Sequence, residues 1–243
     1  MNLDQASSVP LHAQLEEALL KRIRNGDLRA GSRLPSEDEL ATLYTVSRTT
    51  VRTAIQSLIG RGMVQIRRGK GTFTIEPVIT QELTALTGFV EDMRALGKEA
   101  SAKVLDRRLV AASETVARQL AVQRGTTVAR IQRVRLADGT PLSFDETYLP
   151  HELGVKVMAD DLEKQPIFAL LEQKYATPLH EAEYRLAAVP SHGTVARALG
   201  MEAGSPIFLI ERTTFSDGHR PVDYERLYYR GDHIRFVTRL ARR

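Results

Sequence analysis

Residues 46–61 read VSRTTVRTAIQSLIGR. Val51, Ala54, Ile55 and Leu58 fall at i, i+3, i+4 and i+7, which sets four apolar side chains on one helix face and commits that face to a core. Ser47 stands at the N-cap, where its hydroxyl accepts from a free backbone N–H. Thr49, Arg52, Thr53 and Gln56 point the other way, with Arg48 and Thr50 flanking them in the first turn. An exposed helix start with two arginines, several hydroxyls and no acid suits the major groove of DNA. Arg donates to both acceptors of guanine, and Thr meets phosphate or the thymine methyl. A solvated helix with two incidental arginines has the same pattern, so the flanking sequence must separate the two readings.

Residues 40–75 contain no Asp or Glu but hold Arg48, Arg52, Arg61, Arg67, Arg68 and Lys70. The whole chain carries a net charge of only +4, so this is a local basic field beside a nearly neutral remainder. Upstream, residues 9–25 place Leu11, Leu15, Ala18, Leu19, Arg22 and Ile23 at the helical period, with Pro10 in the first turn and Asn25-Gly26-Asp27 as the stop. A connector over residues 31–35 leads to Ser36 and Glu39, a capping box for a helix that reaches about Tyr44 and is expected to bury Leu40, Ala41 and Leu43. Tyr44-Thr45-Val46 is then a turn of helix-turn-helix length. Beyond Gly62 the period becomes two. Met63-Val64-Gln65-Ile66 and Thr72-Phe73-Thr74-Ile75 read as strands around the basic turn Arg67-Arg68-Gly69-Lys70-Gly71. Gly69 and Gly71 let the backbone approach a phosphate, whereas Gly-Lys-Gly is too short and misplaced for a nucleotide loop.

The string LPSEDELATLYTVSRTTVRTAIQSLIGRGMVQIRRGKGTF resembles the winged helix-turn-helix of GntR-type bacterial transcription regulators, and the likeness covers almost all of residues 9–75. The resemblance implies that Arg48, Thr49, Thr50 and Arg52 touch the major groove, with Ser47 at the head of the same helix, and that the Arg68-Gly69-Lys70 tip enters the minor groove. Many relatives carry a DNA-contacting Arg where this chain has Asp38. An acid cannot make that contact; its simple role is to favour the helix N-terminus.

At 243 residues the chain suits one large domain or two smaller ones, and 42% hydrophobic with 26% charged residues is ordinary for a globular protein. No apolar run is long enough to span a membrane, and polar residues interrupt the N-terminus where a signal peptide would be apolar, so a cytoplasmic location is expected. There is no cysteine, which excludes disulfides and cysteine-ligated zinc. The six histidines stand at no metal-ligand spacing, and neither metal nor cofactor is expected.

Glu76-Pro77 breaks the pattern, and residues 77–86 read as a linker between a first domain over 1–76 and a second over 87–243. A short helix follows Thr87-Gly88-Phe89 and ends near Gly97. The remainder contains an internal repeat. Thr115-Val116-Ala117-Arg118 recurs as Thr194-Val195-Ala196-Arg197, an offset of 79 from 115 to 194. At that offset Leu120 matches Leu199, Gly125 matches Gly204, Arg133 matches Arg212, and Asp138-Gly139 matches Asp217-Gly218. After one inserted residue Pro141 matches Pro221, Asp145 matches Glu225, and Tyr148 matches Tyr228. Each copy reads as short helix, strand, Asp-Gly turn, strand. A helix over 166–175 and a strand over 180–188 lie between the copies, and 234–240 supplies a last strand. The expected fold is α+β: two like halves forming one antiparallel sheet, with a cleft where they meet.

The motifs RVRLADGTPLSFDETYLP and PVDYERLYYRGDHIRF resemble the UTRA effector-binding domain of the HutC branch of the GntR family, a fold similar to chorismate lyase. The resemblance implies a dimerising regulator, a repressor, that binds a palindromic double-stranded DNA operator as a homodimer. Arg133 and Arg135, i and i+2 on one strand, point to the same face and suit a small anionic metabolite, a phosphorylated sugar or a carboxylate. Asp145 lies on one face of the opposite hairpin strand and Phe144 with Tyr148 on the other; spacing alone leaves the register open. The family pattern favours Asp145, with Glu225 and Tyr228 from the second copy and Thr87 with Phe89 closing the site. A chorismate-lyase-like enzyme with a DNA-binding appendage is the rival reading, in which Asp145 and Glu225 would be paired acid and base; no Ser-His-Asp set, metal cluster or nucleotide loop supports it. A DNA-binding scaffold without ligand, with Arg133 and Arg135 as strand salt bridges, is a third.

Overall fold

The apolar face of the 46–61 stretch organises the first of two units. In the computed structural model, which describes residues 3–5, 7–25, 27–28, 31–75 and 78–242, the chain divides between Val78 and Ile79. The expected stop residue Gly26 and the pattern break at Glu76-Pro77 lie outside the described residues. Helices α1 (Leu11–Arg24), α2 (Glu37–Tyr44) and α3 (Arg48–Gly60) precede a hairpin of β1 (Val64–Arg67) and β2 (Gly71–Thr74). Leu15, Leu19 and Leu20 of α1, Leu40 and Tyr44 of α2, and Val51, Ala54, Ile55 and Leu58 of α3 are all at most 4% exposed and share one core. Tyr44, not Leu43, buries beside Leu40, because i and i+4 share a helix face; Leu43 is half exposed.

Both helix starts are capped as expected. The Ser36 backbone N–H donates to Glu39 Oε2 at 2.7 Å and the Glu39 N–H to Ser36 Oγ at 3.3 Å. Ser47 Oγ accepts from the Thr50 N–H at 3.1 Å, after Thr45 has turned the chain with φ of 54°. The hairpin gains an edge that sequence pattern did not show. The connector lies along β2, with Thr74 N–H donating to the Ser32 carbonyl at 2.9 Å and Leu34 N–H to the Thr72 carbonyl at 2.8 Å.

The second unit runs β3 (Ile79–Glu82), α4 (Phe89–Ala95), β4 (Ala100–Ala111), α5 (Glu114–Gln119), β5 (Thr127–Ala137), β6 (Thr140–Pro150), α6 (His151–Met158), α7 (Ile167–Ala169) continuing into a wider π turn (Leu170–Lys174), β7 (Glu181–Pro190), α8 (Gly193–Leu199), β8 (Pro206–Ser216), β9 (Arg220–Arg230) and β10 (Ile234–Val237). Six strands form one antiparallel sheet in the order β4-β5-β6-β9-β8-β7, with the two copies meeting at β6 and β9. The duplication starts one strand earlier than the sequence pattern indicated. β4 ends at Ala111 and β7 at Pro190, again 79 apart, so the strand placed between the copies is the first strand of the second copy. Even the irregularities repeat: a register shift falls between Arg135 and Leu136 and again between Thr214 and Phe215. Asp138 and Gly139, both at positive φ, make the two-residue turn of the first hairpin.

The linker expected over 77–86 needs correction. Ile79–Glu82 is a strand that pairs in parallel with β10 from the far end of the chain, and Ile79 is buried with Phe89, Met93 and Ile234. Four residues whose partner lies some 155 positions away, as Thr238 Oγ1 donating to the Leu83 carbonyl illustrates, carry no local signal. No helix among the described residues is long and apolar enough to cross a membrane.

Helix α6 packs against β5 through a glycine. A Cβ at Gly154 would fall inside van der Waals contact of the Ala129 Cβ and close to Leu149. Gly154→Ala is therefore expected to destabilise the unit by about 1–3 kcal/mol, despite alanine's better helix propensity. Urea unfolding of the two proteins checks this, and an unchanged or raised midpoint would contradict the close packing.

Candidate functional site

On the first unit, α3 presents Ser47, Arg48, Thr49 and Arg52 to solvent, with Thr50 partly buried. Ser47 Oγ also lies 2.9 Å from Thr50 Oγ1, so the first-turn hydroxyls are held together. Neither arginine is without a counter-charge. Arg48 Nε lies 2.6 Å from Asp38 Oδ1, and Arg52 Nε donates to Glu37 Oε2 at 2.7 Å. Arg61 is drawn away to Glu16 of α1 at 2.7 Å, and its hydrogen bond holds the Glu16 carboxyl below its ordinary pKa. In the wing, Arg67 stacks on Phe73 with the guanidinium 4.6 Å from the ring centre. Arg68, Gly69 and Lys70 are exposed at the tip. Gly69 has φ of 73° and open space where a side chain would stand, whereas the space over Gly71 is filled by Arg33. Of the two wing glycines, only Gly69 leaves backbone free for a phosphate.

On the second unit, a narrow cavity lies against one face of the sheet, where the two copies meet. Arg133 and Arg135 of β5 enter it together, as their spacing required. The register resolves in favour of Asp145, which stands opposite Arg133 on β6 with its Oδ2 3.9 Å from Arg135 Nε. The second copy delivers Arg212 opposite Glu225 in the same relation, and their side chains form a short hydrogen-bonded ion pair. Thr147 Oγ1 donates to the other Glu225 oxygen at 2.9 Å. The copies differ one rung further along. The first pairs Arg135 with Ser143, the second Thr214 with Asp223, so one half adds a cation and the other an acid.

Three buried guanidiniums shape the electrostatics of the site. Burial pulls the Arg133 pKa down to about 9, with Arg135 beside it adding to the effect. Arg133 is 2% exposed, and its Nε and Nη1 have no hydrogen-bond partner among the described residues. Burial also raises the Asp145 carboxyl above its ordinary value, against the pull of Arg135 and Arg133. Burial pushes Glu225 the same way, but there Arg212 and Arg133 outweigh it and hold the carboxylate ionised. Aromatic rings close the site. Phe89 of α4 lies 4.9 Å from the Arg135 guanidinium and Phe168 of α7 lies 4.4 Å from that of Arg212. The free space left is about 30 Å³, room for one or two waters and no metabolite.

Thr87 closes the site through its backbone: its carbonyl accepts from Arg212 Nη1 at 3.3 Å, while its hydroxyl donates to Asp92 at 2.6 Å. Gln81 of β3 donates to the other Asp92 oxygen at 2.5 Å, tying α4 to the strand that follows the first unit in the chain. Tyr228 must be removed from the expected set. It is packed with Val134, Phe144 and Val195 on the opposite face of the sheet. Glu225 and Tyr228 are three apart, and side chains an odd number apart on a strand point to opposite faces. Sequence reasoning also missed Arg212, Phe168 and Tyr184, whose hydroxyl accepts from Arg212 Nη1 at 3.1 Å. The 79-residue offset from Arg133 was the signal for Arg212; the aromatic residues had none.

A capped helix-turn-helix with an exposed basic face and a cationic wing defines a DNA-binding transcriptional regulator. Comparison with known proteins agrees. Residues 11–74 match the gntR family of bacterial regulatory proteins and residues 95–235 match the UTRA domain. The chain belongs to the GntR family, among the members that carry a UTRA domain. It is similar to the HTH-type transcriptional repressor NagR of Bacillus subtilis, 31% identical over 100% of this chain and 99% of that one. It is also similar to the histidine utilization repressor of Pseudomonas putida, 29% identical over 96% and 93% of the two chains. Among solved structures, PhnF from Mycobacterium smegmatis is 25% identical, with a TM-score of 0.74 over 96% of this chain and 100% of that one. NagR and the histidine utilization repressor are repressors by name, not enzymes, and the lyase-like reading of Asp145 and Glu225 finds no support.

Asp223 gives the second unit a pH dependence. It is fully buried beside Thr214, and burial, with Glu225 nearby, raises its pKa to about 7. The fold therefore favours the protonated acid. That contribution is intact below about pH 4, the ordinary Asp range, and is lost as pH rises towards and past 7. Asp223→Asn should thus be more stable than wild type at pH 8, with the advantage shrinking towards pH 4. Thermal melts across that range check it, and an advantage that grows on acidification would refute the assignment.

Proposed function

We propose that this regulator is a cytoplasmic repressor that binds a palindromic operator as a homodimer and is modulated by a small anionic metabolite. For DNA, the carrying observation is the exposed first turn of α3 beside the exposed tip Arg68-Gly69-Lys70. In this reading Ser47, Arg48, Thr49, Thr50 and Arg52 meet the major groove, and the tip enters the minor groove. Arg48→Ala should lose roughly 1–3 kcal/mol of operator affinity and relax one base position. Lys70→Ala should weaken all sequences alike, as loss of a phosphate contact would. Gel shifts at several salt concentrations distinguish these; unchanged operator affinity in a folded Arg48→Ala protein would sink the major-groove assignment.

For the effector, the carrying observation is Arg133, buried with donors unsatisfied in a cavity that also holds Arg135 and Arg212. A phosphate or carboxylate would satisfy them and relieve their repulsion. Asp145 and Glu225 would take hydroxyls or amides of the same ligand. Entry requires Phe89 and Phe168 to move off the guanidiniums they cover. Phe89 sits on α4, and α4 is hydrogen-bonded to β3, so a change at the cavity reaches the strand next to the first unit in the chain. Arg133→Ala should abolish the effect of ligand on DNA binding and leave affinity without ligand nearly unchanged. Titration of the DNA complex with sugar phosphates, carboxylic acids and inorganic phosphate tests this, and an equal response in both proteins would mean the cavity is misread.

Dimerisation is assigned to the second unit. One recognition helix reads too few base pairs for a tight site, and two need a two-fold arrangement. The two edge strands of the sheet, β4 and β7, leave Leu105 and Leu109 at one edge and Leu186 at the other more than 40% exposed, apolar positions that a second copy would cover. Residues 78–243 alone should therefore dimerise, and light scattering of a monomer at micromolar concentration would contradict this.

A further inference from the structure

We propose that Asp38 and Glu37 are positioning residues for base readout. Each grips one recognition-helix arginine by its Nε, aims the outer guanidinium edge at a base and repels phosphate, lowering non-specific affinity while sharpening selectivity. This rests on the reading that Arg48 and Arg52 contact bases.

Helix α2 opens with three consecutive acids, Glu37, Asp38 and Glu39. Glu39 is accounted for by the capping box. A helix N-terminus favours acids in its first turn, but that preference does not direct the other two onto a neighbouring helix. Both lie there, in the same way. Asp38 Oδ1 is 2.6 Å from Arg48 Nε, and Glu37 Oε2 accepts from Arg52 Nε at 2.7 Å. The arginines stand one turn apart on α3 and the acids are adjacent on α2, so two contacts join the same pair of helices. Between Asp38 and Arg48 both side chains are more than 60% exposed, so no burial forces the pairing.

A guanidinium carries five donors in a planar fork. A carboxylate at Nε occupies the inner edge and leaves the terminal Nη groups, which are the donors that reach guanine O6 and N7 together. It also restricts side-chain rotation before DNA arrives. The same carboxylate opposes the attraction to phosphate that dominates non-specific binding. Residues 40–75 contain no acid, and of the three acids that open α2 only Glu37 and Asp38 reach the arginines of α3.

The experiment uses the full chain. Selection from random duplexes with wild type yields a preferred site. Binding to that site, to the same site with each guanine replaced, and to random-sequence DNA is then measured at several salt concentrations for wild type, Arg48→Ala, Asp38→Asn, Asp38→Glu and Glu37→Gln. Melting curves confirm folding. Asp38→Asn should bind random DNA about two- to fivefold more tightly, the range of an exposed ion pair, and lose preference at the guanine whose replacement Arg48→Ala ignores. Asp38→Glu should restore that preference, and Glu37→Gln should act at a different position. Tighter binding to all DNA with base preference intact would reduce Asp38 to a bulk charge and overturn the positioning role. Unchanged binding by Asp38→Asn, with Arg48→Ala still losing its guanine, would overturn it too. If Arg48→Ala itself keeps every base preference, the underlying contact is wrong and both readings fall.

Discussion

The second unit depends on buried arginines and carboxylates brought together on one face of the sheet at the β6–β9 seam. A guanidinium removed from water is tolerable only where carboxylates and hydrogen bonds replace its hydration. Cross-strand register brings the charges together: Arg133 lies opposite Asp145 and Arg212 opposite Glu225 because the duplicated hairpins repeat the same rung, the two acids standing two residues apart across the β6–β9 seam. The copies then diverge. Arg212 donates to Glu225, Tyr184 and the Thr87 carbonyl through its Nη groups, whereas Arg133 Nε and Nη1 have no partner among the described residues and Arg135 sits at 3.9 Å from its acid. The two copies share the scaffold, and the first carries the additional cation Arg135 where the second carries Thr214.

The first unit uses the same residue type in the opposite regime. Its cations stand in water, where pairing contributes little to stability and salt screens it. Arg48 and Arg52 remain available for exchange with a polyanion, while the fold rests on the leucines of α1 and the apolar stripe of α3. The core packing and the exposed charges are thus carried by opposite faces of α3. In the second unit buried charge and packing share one face of a sheet, so pH response and packing are coupled there through Asp145, Glu225 and Asp223.

Much of this was legible in sequence because its causes are local. The capping box, the α3 stripe, the Ser47 cap and the alternating wing follow from spacing within a few residues. The repeat was legible because 79 residues separate like from like along the whole second half. The same offset contained Arg212, which was matched in the repeat but not carried into the site. Tyr228 shows the reverse failure, since its spacing from Glu225 already excluded a shared strand face.

The sequence alone determined the order and type of the main elements, the basic face of α3 and the pairing of Arg133 with Arg135 on one side of a strand. Helical and strand periods are fixed by backbone geometry and need no distant partner. Only the tertiary structure decided that Asp145 rather than Phe144 faces the cavity, that Ile79–Glu82 is a strand, and that rings from α4 and α7 cover the guanidiniums. Each of those depends on which remote segment arrives alongside. Register, parallel pairing and lid contacts are set by packing between residues far apart in the chain, and no local pattern encodes the partner.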